Sequence, residues 1–159
     1  MLLNTGQHYD ENMSNVFIEG LSIKTPDFNL RVGSGSHAYQ TATTTLRLEK
    51  VVLKEKPDMI MVYGDTNATV ARALVASKLK IPVVHVESGL RQHPKDMPEE
   101  INRVVTDHIS SFLFCPAEKA VDNLEGEKVS KSVHFVSDVM DNLFVEMRKN
   151  LDISITLAG

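Results

Sequence analysis

Two short apolar runs flank a stretch of helix-forming residues, and this arrangement limits the fold more than any other feature of the sequence. The runs DMIMVYG (58–64) and PVVHVESG (82–89) end in glycine and are apolar on both faces, which is typical of buried strands in a parallel sheet. Between them, residues 66–80 are rich in Ala, Leu and Lys, with Thr66 as a candidate N-cap. A strand, a helix and a second strand with short connections predict a βαβ unit.

The same alternation extends on both sides of this unit. Helices are predicted over residues 11–21, 37–56, 98–109, 116–127 and 140–150, and strands over 111–115 and 133–139. We therefore predict an α/β fold with a Rossmann-like, doubly wound parallel sheet. Such a sheet normally opens with a strand and a glycine loop, whereas residues 1–6 resemble only the tail of a strand. A first strand is accordingly expected to be missing.

Composition and charge exclude several classes of partner. The formal net charge of −4 offers no basic surface for nucleic acid. No apolar run approaches the ~18–20 residues that span a bilayer, and the start of the sequence does not resemble a signal peptide. Cys115 is the one cysteine, so neither a disulfide framework nor a cysteine metal site is available. We expect a cytoplasmic domain that contacts neither a membrane nor nucleic acid.

Polar segments follow several predicted strands. In doubly wound sheets, ligands bind beyond the carboxyl ends of the strands, which here are followed by residues 6–8, 64–66 and 87–91. Asp65 lies between a glycine and a helix start, so it either caps that helix or serves a binding site. Glu87 ends an apolar run, where a carboxylate must be paired, protonated or functional. Arg91 is its natural partner if Glu87 forms a structural ion pair.

Two acids, Glu99 and Glu100, stand in the first turn of the helix predicted over 98–109, where acids are routine. They are about 100° apart around the helix axis, so at most one points into a cleft while the other faces solvent or Arg103. His85 lies within a predicted strand and is more simply a satisfied core histidine than a catalyst. Cys115 is most simply a small buried hydrophobe.

Taken in order, six segments resemble the non-hydrolysing UDP-N-acetylglucosamine (UDP-GlcNAc) 2-epimerase family. The segments are TGQHYDENM (5–13), GSGSHAYQTA (33–42), YGDTNATVA (63–71), HVESGLR (85–91), MPEEINR (97–103) and TDHIS (106–110). The GSGSH form is most similar to the branch that is frequent in archaea and some bacteria. The resemblance extends from about Thr5 to Leu143.

The resemblance implies a two-domain GT-B fold in which Rossmann-like domains face a deep cleft. Members of this family interconvert UDP-GlcNAc and UDP-N-acetylmannosamine, a precursor of surface polysaccharides. The family's route eliminates UDP to leave a 2-acetamidoglucal and then adds UDP back on the other face. This route requires a base, an acid and electrostatic help for the departing phosphate, with no metal and no cofactor.

The resemblance also implies roles for individual residues. The family's catalytic carboxylates correspond to Asp65, Glu87 and Glu99, so Glu99 is expected in the cleft and Glu100 in solvent. Residues expected to bind substrate are Gly64, Thr66, Arg91, Arg103 and His37. Gln7 and His8 are candidates for a regulatory UDP-GlcNAc site. Many members have an arginine near the start of the long helix, where this chain has Thr43.

Two departures from the family pattern concern larger parts of the fold. The G-T-R-P-E loop with its active-site arginine is absent, and so is the C-terminal UDP-binding domain. Ser137 also replaces a glycine of the family. We therefore expect residues 1–150 to form an incomplete N-terminal domain and 151–159 a truncated tail, with the whole inactive alone, homodimeric and prone to association. Another chain would supply the second domain.

Two further hypotheses follow from the same motifs. One is a non-catalytic remnant or interaction module that keeps the fold without turnover. The other is a hydrolysing epimerase that releases N-acetylmannosamine and UDP, because the two outcomes differ only in whether water or UDP attacks last. UDP-sugars that carry diacetamido-uronate groups are alternative substrates.

Overall fold

The computed structural model describes residues 1–6, 24–129 and 132–138. The strands are β1 (Leu3–Asn4), β2 (Phe28–Asn29), β3 (Ile60–Tyr63), β4 (Val83–Val86), β5 (Phe112–Cys115) and β6 (Val133–Phe135). The helices are α1 (His37–Glu55), α2 (Asn67–Lys78), α3 (Pro98–Ile109) and α4 (Glu118–Gly126). The order of strands and helices predicted between residues 37 and 135 is confirmed. The predicted helices over 11–21 and 140–150 lie outside the described residues.

All the described strands pair in parallel, which confirms the predicted class of sheet. One sheet has the order β3-β4-β5-β6, and β1 pairs with β2 separately. In the larger sheet, Val62, His85, Leu113 and Val133 are register neighbours on four successive strands. They therefore share one face, since paired residues of a parallel sheet point to the same side.

This shared face carries the helices that follow the strands. Alanines of α2 pack against Val62 and Val83, and their small size allows the helix to approach the sheet closely. Residues Ala120 and Leu124 of α4 pack against Leu113 in the same way. Because β3 and β4 are adjacent and parallel, their carboxyl ends lie side by side at one edge of the sheet.

Helix α1 joins the two sheets into one core. Its buried residues Leu48 and Val52 cluster with Leu30 and Val32 after β2 and with Val75 of α2. Ile60 of β3 and Leu3 of β1 pack against this same cluster, so the cluster connects both strand sets. In the part of the chain that the structure describes, no helix combines the length and the apolar character needed to cross a membrane.

Candidate active site at the ends of strands β3 and β4

The turn after β3 presents Asp65 to the edge of the sheet. Gly64 has a φ of 65°, a left-handed conformation that favours glycine, and its N–H donates to the carbonyl of Val86 on the neighbouring strand over 3.1 Å. Thr66 caps α2, because its Oγ1 accepts from the N–H of Thr69 at 3.3 Å. The predicted cap is thus confirmed for Thr66. The Asp65 carboxylate is left to pair with a side chain of α3.

That partner is Arg103, which lies 3% exposed between two carboxylates. It donates to Asp65 and, over 2.7 Å, to Glu100. Glu100 is 4% exposed and also accepts from the N–H of Gln92 at 3.1 Å. The expectation that Glu100 faces solvent is therefore wrong, because it shares the inward face of α3 with Arg103. Glu99 is exposed, and its catalytic role stays a prediction.

The turn after β4 holds Glu87 in an unusual backbone conformation. Its φ is 69°, which costs free energy in a residue with a side chain and persists only where neighbours hold it. The next two N–H groups are bound: that of Ser88 donates to a β5 carbonyl at 3.1 Å and that of Gly89 to Asp107 at 3.1 Å. Asn123 of α4 donates to the Gly89 carbonyl over 2.9 Å. Contacts with β5, α3 and α4 therefore fix the conformation of the turn that carries Glu87.

The Glu87 carboxyl group lies partly buried beside the turn that carries Asp65. Burial raises its pKa, the charges of Asp138 and Asp65 raise it further, and His85 and Arg103 only partly oppose this. One carboxylate oxygen is 3.6 Å from the position that a Cβ of Gly64 would occupy. Within residues 1–6, 24–129 and 132–138, this carboxyl group forms no ion pair. The proposed structural pair with Arg91 is therefore wrong.

Arg91 instead joins the loop after β4 to helices α3 and α4. It donates to Asp107 at 2.8 Å and makes two bonds to Glu127, at 2.7 and 2.6 Å. Burial alone would lower the pKa of Arg91, but these two carboxylates raise it. The same contact holds the pKa of Glu127 below its usual range. The guanidinium group of Arg91 is already bound to two protein carboxylates. Its role in substrate binding stays a prediction.

His85 and Asp107 form a fully buried pair beneath both turns. His85 Nδ1 lies 2.7 Å from an Asp107 oxygen, and Nε2 lies 2.8 Å from the Gly64 carbonyl. The prediction of a satisfied core histidine is confirmed, as is the burial of Cys115. The sequence interpretation missed Asp107. The available signal was its helical spacing, four residues after Arg103, which places both on one face of α3.

A shallow pocket of about 520 Å³ opens next to Asp65. His37 is the first residue of α1, as predicted, and its Nδ1 lies 3.0 Å from the side-chain nitrogen of Asn67. Asn102 donates to the Asp65 carbonyl at 3.0 Å and to Asn67 at 3.2 Å. The sequence analysis did not predict either asparagine as a site residue. The residues that line the pocket are His37, Ala38, Thr41, Ala42, Asn67, Pro98, Ile101 and Asn102. The predicted regulatory residues Gln7 and His8 lie outside the described residues.

Comparison with known proteins decides the family. The family model for UDP-N-acetylglucosamine 2-epimerase matches residues 1–156. The chain belongs to the UDP-N-acetylglucosamine 2-epimerase family. The resemblance inferred from the motifs is confirmed, including its similarity to archaeal members.

Individual members of this family show how much of the protein the chain represents. It is 55% identical over 135 residues to the UDP-N-acetylglucosamine 2-epimerase of Methanocaldococcus jannaschii, covering 85% of this chain and 37% of that protein. It is 47% identical over 161 residues to the UDP-2,3-diacetamido-2,3-dideoxy-D-glucuronate 2-epimerase of Pseudomonas aeruginosa, covering 98% and 45%. The chain thus spans less than half the length of these relatives.

A solved structure extends the comparison to the fold. The crystal structure of Methanocaldococcus jannaschii UDP-GlcNAc 2-epimerase in complex with UDP-GlcNAc and UDP matches with a TM-score of 0.90 at 50% identity, covering 93% of this chain and 41% of that one. The epimerases have a GT-B-like fold, and the parallel sheets described above belong to that class.

Proposed function

We propose that this chain supplies the carboxyl groups of a UDP-GlcNAc 2-epimerase that makes precursors of surface polysaccharides. The observation that carries the proposal is the pair of neighbouring turns, in which Asp65 is ion-paired and Glu87 has a raised pKa. In the proposed reaction, a base removes the C2 proton while the bond from C1 to the phosphate oxygen breaks and UDP leaves. UDP then adds back to C1 of the 2-acetamidoglucal, and an acid delivers a proton to the opposite face of C2.

The two turns fit the opposite demands of this reaction. Asp65 forms an ion pair with the Arg103 guanidinium, and a carboxylate suits a proton acceptor. Burial and neighbouring acids favour the protonated form of Glu87, which suits a donor. Glu99, exposed at the start of α3, is the third carboxylate proposed for the site. Gly64, Thr66, Arg91, Arg103 and His37 are proposed to bind or position the substrate.

We propose that residues 1–150 form the N-terminal domain and that a C-terminal UDP-binding domain completes the cleft. The greater length of the relatives supports this division. The test follows exchange of the C2 proton of UDP-GlcNAc into deuterated water by NMR, with the chain alone and with a separately supplied C-terminal domain. We expect exchange only in the complemented sample.

Variants identify the groups that exchange the proton. Asp65→Asn and Glu87→Gln should each abolish exchange, whereas Glu118→Gln, which removes an exposed acid in the first turn of α4, should not. Absence of exchange from a folded and complemented protein would overturn the proposal in favour of a non-catalytic module. Free UDP and N-acetylmannosamine as products would indicate the hydrolysing reaction.

The Pseudomonas aeruginosa relative favours a second candidate substrate, a UDP-diacetamido-glucuronate. Its sugar carries a carboxylate, which needs a cation in the site. Among the described residues near the cleft, Arg91 and Arg103 are both engaged by protein carboxylates, and this favours the uncharged sugar of UDP-GlcNAc. Comparing kcat/KM for the two substrates in the complemented sample would decide between them.

We also propose a cytoplasmic homodimer, because the proposed substrate is a cytoplasmic nucleotide sugar and α1 presents an apolar stripe. Tyr39, Leu46 and Leu53 are 49%, 64% and 56% exposed and recur at every seventh residue, the spacing of a coiled-coil seam. Sedimentation should show a dimer that Leu46→Lys dissociates. The matched exposed change Lys50→Ala on the same helix should leave the dimer intact.

A further inference from the structure

His85 is surrounded by hydrogen-bond acceptors on both sides of its ring. Nε2 faces the Gly64 carbonyl at 2.8 Å, and a carbonyl oxygen can only accept, so Nε2 must carry a proton. Nδ1 faces an Asp107 oxygen at 2.7 Å. The other Asp107 oxygen accepts from Arg91 at 2.8 Å and from the Gly89 N–H at 3.1 Å. That oxygen therefore accepts from two donors, and one of them is the guanidinium of an ion pair.

An ionised Asp107 cannot donate, so the short contact to Nδ1 requires a second proton on the ring. We propose that His85 is a doubly protonated positioning residue that joins Asp107 to the Gly64 carbonyl. Asp107 then holds the turn after β4 directly, through the Gly89 N–H, and the turn after β3 through His85. A single buried ion pair thereby sets the relative placement of the two turns that carry Asp65 and Glu87.

The positive charge on the His85 ring also affects the pKa of Glu87. Among the described charged groups, Asp107 contacts His85 directly, Arg91 contacts Asp107, and Glu87 is close enough for the charge of His85 to influence its pKa. The positive charge of His85 opposes the influences that raise the pKa of Glu87, namely burial and then the charges of Asp138 and Asp65. The total burial of His85 reduces the solvent screening of this interaction. His85 therefore limits how far Glu87 retains its proton.

The first experiment records nitrogen NMR spectra of the full chain labelled with ¹⁵N-histidine, at neutral pH, where an ordinary histidine is mainly neutral. We expect both ring nitrogens of His85 to resonate in the protonated range, each with a one-bond coupling to a slowly exchanging hydrogen. The signals are assigned by their loss in His85→Gln. An unprotonated nitrogen on this ring at neutral pH would overturn the proposal.

The second experiment titrates the Glu87 carboxyl carbon in wild type, His85→Gln and Asp107→Asn. Glutamine keeps a donor for the Gly64 carbonyl but removes the charge, so His85→Gln should raise the Glu87 midpoint. His108→Gln is the control, because His108 is exposed on α3 and, among the described residues, its ring hydrogen-bonds to the Val104 carbonyl of its own helix. An unchanged midpoint in a folded His85→Gln variant would contradict the electrostatic role.

This inference rests on the proposed function only in treating Asp65 and Glu87 as the working carboxyl groups. Both experiments read protonation without substrate or turnover. A neutral His85 would overturn the inference and leave the proposed epimerase reaction standing. A doubly protonated His85 in a chain that shows no C2 exchange after complementation would support the inference and overturn the proposed epimerase reaction.

Discussion

The turns after β3 and β4 lie side by side, yet they hold their acids in different ways. The first turn is shaped by its own residues, since Gly64 allows the chain to bend and Thr66 caps α2, and its acid Asp65 pairs with Arg103 of α3. The second turn is fixed from a distance, through Asp107 of α3 and Asn123 of α4. Its acid, Glu87, is partly buried without an ion pair in the described part of the chain.

The difference shows how one sheet edge holds two carboxyl groups in different electrostatic surroundings. A local turn with a cation beside it stabilises a carboxylate, whereas a turn imposed by tertiary contacts can keep a carboxyl group in a less polar place. The cost of the second arrangement is the positive φ of Glu87 and its desolvation. The predictions below test each side of this contrast.

The largest effect is expected from Arg103→Met, which removes the cation that supports the first turn. Glu100 would remain buried without its ion-pair partner, and breaking a buried ion pair in this way costs about 3–5 kcal/mol of unfolding free energy. Urea denaturation measures the loss. Lys54→Met is the control, because Lys54 is exposed and pairs only with its neighbour Glu55, so its loss should cost under about 1 kcal/mol. Equal losses in both variants would refute the buried role of Arg103.

The second turn should be broken by Gly89→Ala. A Cβ at Gly89 would lie 2.3 Å from the Ala120 carbonyl oxygen, and the φ of 76° disfavours any side chain. We expect a loss of about 2–3 kcal/mol in thermal or urea unfolding. Gly126→Ala is the matched control at the end of α4, where a Cβ meets nothing within 4 Å. Alanine there should be neutral or stabilise the protein by up to about 1 kcal/mol.

Much of the fold could be predicted because its signals are local. The apolar run that became β4 is buried on both faces, and helix α3 begins at the predicted Pro98. The same expectation is wrong for β3, because Met61 and Tyr63 leave one face of that strand exposed. The residues Asp65 and Glu87 were found for the same reason, since each follows directly after a strand. Such features depend on short stretches of sequence and on the topology of a parallel sheet.

The surroundings of the two turns could not be predicted, because α3 buries charged residues and exposes part of its apolar face. An amphipathic helix normally buries its apolar face, which here contains Ile101 and Val104. The structure instead buries Glu100, Arg103 and Asp107 and leaves Ile101 exposed. Rotation of a helix about its axis is set by tertiary contacts, and no local pattern records it. That is why the sequence interpretation placed Glu100 in solvent.

The partner of Arg91 was missed for a related reason, which is separation along the chain. Glu127 lies 36 residues after Arg91, at the end of α4, and only the packing of α4 against the sheet brings them together. Glu87 is four residues from Arg91 and looked like the nearer partner, but its positive φ directs it elsewhere. Proximity in the sequence therefore predicted the wrong partner for Arg91, because its partner is set by tertiary contacts.

The smallest effects are expected from Glu87→Gln and Glu99→Gln, which should change the free energy of unfolding in opposite directions. The raised pKa of Glu87 means that the unfolded chain releases this proton first, so the stability present below the ordinary glutamate value of 4.5 is lost as pH rises through the folded value. Glu87→Gln should therefore be more stable than wild type at neutral pH, by an amount that shrinks in acid. Glu99→Gln should be less stable by about 0.3–1 kcal/mol, because Glu99 favours the N-terminus of α3. Urea titrations at several pH values measure both. A Glu87→Gln variant that is no more stable than wild type at neutral pH would show that Glu87 is an ordinary surface acid.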